Sequence, residues 1–247
     1  MLKIAVNGAV GRMGTRILAL AAASSDFEIA GEFELEKNAL SVNSLKGKGV
    51  LIDFSGPSGT PMAIQAALKN GWGLVIGTTG LDSNIESSMA VAARSIPIVF
   101  SANMSVGVNL AVELVSDAAK KLGKEFDIEI TEAHHRHKKD APSGTALLLA
   151  SAIAKAKGWD LKKVLRYRQE GCSKDERSRE EIGMQVIRAG EIVGDHTVLF
   201  VGPSETIEIT HRAQSRDAFA RGALAAALFL SKKKNGLYGM SDVLAAK

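Results

Sequence analysis

The stretch that decides the predicted fold is LKIAVNGAVGRMG, residues 2–14. Its first part, Leu2 to Asn7, is a short apolar run that ends at a glycine, which is typical of a buried strand. Arg12 to Ala23 then carry apolar residues at helical spacing. A strand, a glycine loop and a helix in this order are typical of the turn at which an α/β domain binds a dinucleotide pyrophosphate.

The alternation of strand and helix continues beyond this turn. Apolar runs at 27–30, 50–54, 73–76 and 97–100 alternate with helical patterns at 62–68 and 85–94. This pattern predicts an α/β fold with a Rossmann-type, doubly wound parallel sheet. After Asn103, polar and apolar residues alternate at 127–132, 184–188, 197–201 and 206–210, between helical stretches at 108–122, 143–157 and 218–231. They predict a second, α+β region with a mixed or antiparallel sheet.

Composition narrows the class of protein. The 247 residues are 46% hydrophobic, carry a formal charge of +4 and suit one large or two modest folded domains. Nucleic-acid binding is disfavoured, because only 5% of the residues are aromatic and the basic clusters lack interleaved rings. The first apolar run is too short for a signal sequence or a membrane span, and the single cysteine, Cys172, excludes a disulfide framework. We therefore expect a cytoplasmic protein with no membrane partner.

The glycine loop is the first candidate binding site. Gly8, Gly11 and Gly14 lie between a predicted strand and a predicted helix, and Glu34 stands at the separation expected of an acid that binds an adenosine ribose. The alternatives are a tight turn without a ligand and one more surface acid. The segments 77–80 and 101–103 follow two further parallel strands, whose carboxyl ends line the ligand crevice of such sheets.

A second candidate site is the basic segment 134–139, HHRHKK, which is followed by a predicted helix start at Ser143. Like charges at this density favour an anionic ligand, and the unpaired N–H groups of a helix start favour the same ligand. The segment therefore predicts a carboxylate or phosphate site. A zinc site formed by His134, His137 and Asp140 is the alternative, but the sequence has no further ligand cluster for it. We expect no metal, and we expect structural roles for His196 and His211.

The motifs GAVGRMG (8–14), GTTG (77–80), NMSVGVN (103–109), EAHHRHK (132–138) and DAPSGTA (140–146) resemble those of the bacterial dihydrodipicolinate reductase family. The resemblance extends over nearly the whole chain. It implies a dinucleotide-binding domain at 1–104 and 217–247, and a substrate-binding and tetramerisation domain at 105–216. It further implies reduction of 4-hydroxy-tetrahydrodipicolinate by NADH or NADPH in the diaminopimelate route to lysine, by a homotetramer.

The resemblance also implies roles for individual residues. The dinucleotide would contact Gly8, Gly11, Arg12 and Met13, and its ribose would bind Glu34. The nicotinamide side would contact Gly77, Thr79, Ala102 and Met104. A small dicarboxylate would be bound by Lys138, Gly144 and Thr145 with help from His135. His134 would donate the proton, and Lys138 would supply a fixed positive charge.

The sequence departs from the family pattern at two positions. Leu35 stands where members that use NADPH well tend to have an arginine, so we expect NADH to be used at least comparably; Arg12 and Lys37 keep use of NADPH open. Met104 replaces a common phenylalanine with another apolar group. Two other functions stay open: a different two-domain dehydrogenase of an amino-acid pathway, and a dinucleotide sensor without catalytic activity.

Overall fold

The computed structural model describes residues 1–34, 38–41, 43–167 and 176–246. The chain divides into two compact units, Met1–Val106 with Arg216–Lys247, and Gly107–Ser215. In chain order the elements are β1 (Leu2–Asn7), α1 (Gly14–Ala22), β2 (Phe27–Phe33), β3 (Val50–Asp53), α2 (Thr60–Asn70), β4 (Gly73–Ile76), α3 (Ser83–Ala92), β5 (Pro97–Phe100), α4 (Val106–Lys121), β6 (Asp127–His134), α5 (Gly144–Lys157), α6 (Leu161–Val164), β7 (Leu165–Tyr167), β8 (Ile182–Arg188), β9 (Asp195–Val201), β10 (Thr206–Arg212), α7 (Asp217–Leu230), β11 (Gly236–Tyr238) and α8 (Met240–Ala245). None of the helices in the described residues has both the length and the apolar character needed to cross a bilayer.

The first unit contains a six-stranded sheet in the order β11-β5-β4-β3-β1-β2, and all its strand pairs are parallel. The strands β3 and β4 are buried along their whole length, because helices cover both faces of the sheet. Ile4 and Val6 belong to a core with α1 and α7, whereas Ala5 and Leu51 belong to a core with α2 and α3. The predicted doubly wound parallel sheet is confirmed.

The second unit contains a five-stranded sheet in the order β10-β9-β6-β8-β7. The pairs β6–β8 and β7–β8 are parallel, and the pairs β6–β9 and β9–β10 are antiparallel, so the sheet is mixed. One face packs against α4 and α5 through a core that includes Ile128, Ile130, Val198 and Phe200. The alternation of polar and apolar residues in β6 therefore reports a sheet with one covered face.

Several elements differ from the sequence-based prediction. The strand β6 continues to His134, so the first candidate histidine lies on a strand and not after it. The elements α6, β7, β11 and α8 were not predicted, because three to six residues are too few to show a period. Residues 168–175, which include Cys172, lie outside the described residues. Shortly after them, Arg177 donates hydrogen bonds to Asp127 and Glu129.

A buried carboxylate connects the carboxyl ends of three neighbouring strands, β1, β3 and β4, at the middle of the parallel sheet. Asp53 is fully buried at the end of β3. Its Oδ1 accepts hydrogen bonds from Asn7 Nδ2 at 2.8 Å and Ser55 Oγ at 2.6 Å, and its Oδ2 accepts from Thr60 Oγ1 at 2.7 Å and Thr78 Oγ1 at 3.0 Å. The loops after β1, β3 and β4 and the start of α2 are thus held by one side chain.

We expect Asp53→Asn to lower the free energy of unfolding by about 1–3 kcal/mol, because an amide presents donors where the buried neighbours also donate. Urea denaturation monitored by circular dichroism measures the change. The exposed Asp26 gives a matched control, and Asp26→Asn should change the midpoint little. Equal midpoints for the two variants would contradict the role assigned to Asp53.

Candidate active site

The glycine loop after β1 is held by backbone contacts that leave no room for a side chain at Gly8 or Gly14. Gly8 has a φ of +84°, and a Cβ there would lie 2.6 Å from the carbonyl oxygen of Phe54. A Cβ on Gly14 would overlap the carbonyl oxygen of Gly8. The N–H groups of Gly8 and Ala9 both donate to the Phe33 carbonyl, which fixes the loop to the end of β2. No side chain caps the start of α1, so its first N–H groups can meet an anion.

Glu34 lies beside this loop. Its Oε2 accepts a hydrogen bond of 3.4 Å from the backbone N–H of Val10. Glu34 also lines a small cavity of about 120 Å³, together with Asn7, Ser55 and Met62. An acid at this place can accept hydrogen bonds from ribose hydroxyls, as predicted from its spacing. Leu35 and Lys37 lie outside the described residues.

A larger cavity of about 410 Å³ opens at the carboxyl edge of the parallel sheet. Six of the predicted dinucleotide residues line it: Arg12, Met13, Gly77, Thr79, Ala102 and Met104. Met104 is buried, and the ring of Phe54 packs so closely on Gly77 that a Cβ there would overlap it. Backbone that only glycine allows, an uncapped helix start and a cavity at the strand ends together fit a bound dinucleotide.

In the second unit, β6 ends in the pair Glu132 and His134, which lie two residues apart on the covered side of the sheet. His134 is 9% exposed, and its Nδ1 lies 2.6 Å from Oε2 of Glu132. The edge of its ring that carries Nε2 faces Gly194, where a Cβ would be only 3.0 Å from Nε2. The ring of His196 packs on it edge to face, with 5.2 Å between the ring centroids. The imidazole of His134 is thus fixed on three sides.

Glu132 is fully buried and accepts hydrogen bonds from three other groups. Arg188 forms a bidentate ion pair with Glu132, with Nη1 2.8 Å from Oε2 and Nη2 2.7 Å from Oε1. The backbone N–H of Ser143 donates to Oε1 at 2.9 Å, and His134 donates to Oε2. Burial alone raises the pKa of Glu132, but these hydrogen bonds outweigh burial and hold its pKa below the ordinary value.

The charge state of the histidines follows from their burial. Burial lowers the pKa of His134, the cations Lys138 and Arg188 lower it further, and the Glu132 carboxylate raises it without restoring the ordinary value. For His196, burial lowers the pKa to about 4. Both imidazoles are therefore neutral near pH 7 in the free protein.

The residues expected to bind a carboxylate lie in the same unit as this pair, and the N–H of Ser143 joins the start of α5 to Glu132. Lys138 is mostly buried, and its Nζ lies 2.9 and 2.7 Å from the two carboxylate oxygens of Asp140. Ser143 caps α5 by accepting a hydrogen bond from the N–H of Ala146. Gly144 is exposed in the first turn, where a Cβ would meet no other atom, and Thr145 follows it. Nδ1 of His135 is buried and has no hydrogen-bond partner among the described residues.

The remaining cations of the basic segment do not join this group. Arg136, His137 and Lys139 are exposed, and Nε2 of His137 lies 3.7 Å from a carboxylate oxygen of Glu191. The cations of this segment therefore do not form one cluster: Lys138 is mostly buried, and the others are exposed to solvent. No three His, Cys, Asp or Glu side chains in the described part of the chain are placed to hold a metal ion, so the zinc alternative finds no support there.

Sequence reasoning missed three residues of this group. Glu132 was assigned to an alternating strand only, yet its position places it on the same face as the buried Ile128 and Ile130, and a carboxylate there requires a cation. Arg188 supplies that cation from β8. His196 was expected to serve structure; it contacts His134, and its Nε2 lies 2.9 Å from Oγ of Ser143. No pattern in a single sequence reveals the last two, because both contacts join distant strands.

Comparisons with known proteins bear on both units. Residues 2–104 match the family described as "Dihydrodipicolinate reductase, N-terminus", and residues 107–244 match "Dihydrodipicolinate reductase, C-terminus". The 4-hydroxy-tetrahydrodipicolinate reductase of Nitrosomonas eutropha is 46% identical, with 99% of this chain and 98% of that protein covered. The enzyme of the same name from Geotalea daltonii is 42% identical and is matched over 100% of both chains.

Solved structures agree on the fold. A dipicolinate-bound dihydrodipicolinate reductase from Paenisporosarcina sp. TG-14 has a TM-score of 0.78 and 21% sequence identity, covering 99% of this chain and 100% of that one. At that identity the likeness shows the fold alone. The two domain matches and the full-length relatives above 40% identity show more: the chain belongs to the dihydrodipicolinate reductase family, whose N-terminal domain binds the nicotinamide dinucleotide.

Proposed function

We propose that the chain reduces 4-hydroxy-tetrahydrodipicolinate to tetrahydrodipicolinate in the diaminopimelate route to lysine, with His134 as the proton donor. Its relatives carry the name of this activity over their full length. The observation that carries the assignment of the donor is the 2.6 Å contact between Nδ1 of His134 and the buried Glu132, with Lys138 and the start of α5 in the same unit. The unit 105–216 would bind the substrate, and 1–104 with 217–247 the dinucleotide.

The residues that hold the dinucleotide fall into three sets. The pyrophosphate would lie on Gly8, Gly11, Arg12 and Met13, because the glycines let it approach the backbone closely and no side chain caps the start of α1. Glu34 would accept hydrogen bonds from the ribose. Gly77, Thr79, Ala102 and Met104 would hold the nicotinamide side. The dinucleotide, NADH or NADPH, supplies the hydride when bound.

The dicarboxylate substrate would be bound by one cation and by backbone N–H groups. Lys138 presents an ammonium group, and Gly144 and Thr145 lie in the first turn of α5, where N–H groups point out of the helix. The buried Nδ1 of His135 offers a further contact. The Paenisporosarcina enzyme, which has this fold, binds dipicolinate, a flat dicarboxylate of the same kind. An incoming carboxylate would compete with Asp140 for Lys138.

Proton transfer would take place at Nε2 of His134. Its Nδ1 is occupied by Glu132, so Nε2 is the ring nitrogen that gains and gives the transferable proton. Loss of the 4-hydroxyl group as water gives the unsaturated ring that is reduced. Addition of hydride at C4 then leaves negative charge toward C3, which a proton from Nε2 removes and Lys138 stabilises. Bound carboxylate groups raise the pKa of a nearby imidazole, which offsets the lowering by burial in the free protein.

We further propose a cytoplasmic homotetramer joined through the second unit's sheet. The three helices of that unit all contribute to the core on one face of the sheet. The other face, here called the open face, carries mostly uncharged side chains, including Thr131, Gln185, Thr197 and Thr210. They form a row across four strands with two hydrogen-bonded pairs: Thr197 Oγ1 lies 3.1 Å from Thr210 Oγ1, and Thr131 Oγ1 donates to Gln185 Oε1 at 3.3 Å. A sheet face with a central row of hydrogen-bonding side chains and charged residues on either side of it is suited to pairing with a second copy.

Replacement of the donor gives the first test. We expect His134→Gln to lower kcat by about 100- to 10,000-fold, the usual contribution of general acid catalysis, without changing dinucleotide affinity. Absorbance at the nicotinamide band measures turnover, with substrate generated in place from pyruvate and aspartate semialdehyde by a synthase. His137→Gln is the matched control, because His137 is exposed in the same segment. Absence of wild-type turnover with either dinucleotide would support the sensor alternative, and an active His134→Gln would move the donor elsewhere.

Dinucleotide preference gives the second test. We expect kcat/KM with NADH to equal or exceed that with NADPH, because Leu35 brings no positive charge to a 2′-phosphate. The Leu35→Arg variant should raise kcat/KM for NADPH and leave that for NADH nearly unchanged. A wild-type preference for NADPH would show that Arg12 or Lys37 recognises the phosphate, and Arg12→Ala and Lys37→Ala would distinguish the two.

The open face gives the third test. We expect Thr197→Arg to dissociate the tetramer, because it places a charge at the centre of the proposed interface. Sedimentation velocity measures the change. Ser88→Arg, on the exposed side of α3 in the other unit, controls for a general effect of added charge. A tetramer that survives Thr197→Arg would exclude this face as the interface.

A further inference from the structure

We propose that Glu132 is the positioning residue of the site: its carboxylate fixes His134 with the proton on Nδ1 and sets Nε2 as the transferring atom. Nothing in the family names assigns a role to this residue. The inference rests on the proposed function for its catalytic consequence, but the position of the ring proton can be measured without any substrate.

The proposal begins with the acceptor. A carboxylate that is ionised can only accept hydrogen bonds, and Arg188 and the N–H of Ser143 keep Glu132 in that form. Nδ1 of His134 lies 2.6 Å from Oε2, so it must be the nitrogen that carries the hydrogen. In the neutral ring, Nε2 then has the free lone pair, and a second proton can enter only there.

The geometry around the ring maintains this orientation. The backbone at Gly194 lies against the Nε2 edge, and the ring of His196 lies 5.2 Å away. A rotation that turned Nδ1 away from Glu132 would leave the buried Oε2 with one partner fewer. A side chain larger than hydrogen at residue 194 would press on the ring from the opposite side.

The same carboxylate also aligns the groups expected to bind the substrate. Its Oε1 accepts from the N–H of Ser143, the residue that caps α5 just before Gly144 and Thr145. Its partner Arg188 donates from Nη2 to the carbonyl oxygen of Asp140 at 2.6 Å, and Asp140 binds Lys138. One buried side chain therefore contacts the proton donor and the start of the helix directly, and it is linked to Lys138 through Arg188 and Asp140.

A purely structural ion pair would show different behaviour. A buried Arg–Glu pair can be exchanged for neutral groups with a change in stability alone. Replacement of Glu132 by a neutral group would also change the protonation of the His134 ring. His134 is faced by Glu132 on its own strand, Arg188 on β8, His196 on β9 and Lys138 on the following loop; of these only Glu132 favours the imidazolium. Its loss lowers the pKa of His134, so the protonated form needed for donation persists only at lower pH.

The first experiment measures the ring directly. Nitrogen-15 chemical shifts of the His134 imidazole, recorded on the wild-type protein above pH 7 without substrate, should report the neutral Nδ1–H form. The His134→Gln spectrum identifies the signal. A wild-type ring in the Nε2–H form would overturn the proposal, whatever the enzyme activity and whether or not any variant folds.

The second experiment uses the isosteric variant Glu132→Gln. We expect kcat at pH 7 to fall by about 100-fold or more, the scale of general acid catalysis, with the KM for the dinucleotide within about twofold. The alkaline limb of the kcat/KM profile, where activity falls as His134 loses its proton, should move to lower pH. An unmoved limb together with an unchanged ring form would reduce Glu132 to a structural residue.

Glu129→Gln is the matched control. Glu129 lies on the same strand and also accepts from an arginine, Arg177, but it belongs to the opposite face. Glu129→Gln should leave unchanged both the alkaline limb of the kcat/KM profile and the proton position on the His134 ring. Sedimentation velocity checks that the assembly of this variant is intact. If the wild-type protein has no turnover, the proposed function fails while the ring measurement still decides the position of the proton.

Discussion

The second unit depends on a carboxylate that has no exposed surface and is nevertheless charged. Placing an ion in a low-dielectric interior costs several kcal/mol unless its lone pairs are filled, and Glu132 fills them with a guanidinium, an imidazole and a backbone N–H. The three donors come from β8, β6 and the chain just before α5. The register between β6 and β8, which pairs Glu132 with Val186 and His134 with Arg188, is therefore fixed by charge as well as by apolar packing.

The first unit meets the same requirement without a cation. Asp53 is also fully buried, but its partners are an amide and three hydroxyl groups. Hydroxyl groups can rotate to suit the carboxylate, so short polar residues at the carboxyl edge of the sheet supply the donors. Thr78 lies directly between Gly77 and Thr79 at the larger cavity, so the donors that satisfy Asp53 also hold the walls of that cavity.

The sequence predicts the parallel sheet well, because β3, β4 and β5 are short, mainly apolar runs broken by turns, and they can be recognised without knowledge of their partners. The glycine loop and Glu34 are equally local. The contacts of Arg188 and His196 with the site could not be predicted, because they form only when β8 and β9 pair with β6. Glu132 lies between these cases: its place on the face of Ile128 and Ile130 was visible, but its partners were not. The strand β11 depends on β5 for its hydrogen bonds, and three residues carry no period of their own.

The first unit is built from two separate parts of the chain, and this has a consequence during synthesis. Its core requires α7, from which Ala223, Ala227 and Leu230 pack beneath the sheet, and its edge requires β11. Both follow the whole of the second unit in the chain. A ribosome therefore releases residues 107–215 as a continuous segment able to close its own core, while one side of the first unit's sheet is covered by α1 without α7. We therefore expect this partly folded state, whose sheet lacks α7, to be prone to aggregation through its apolar face.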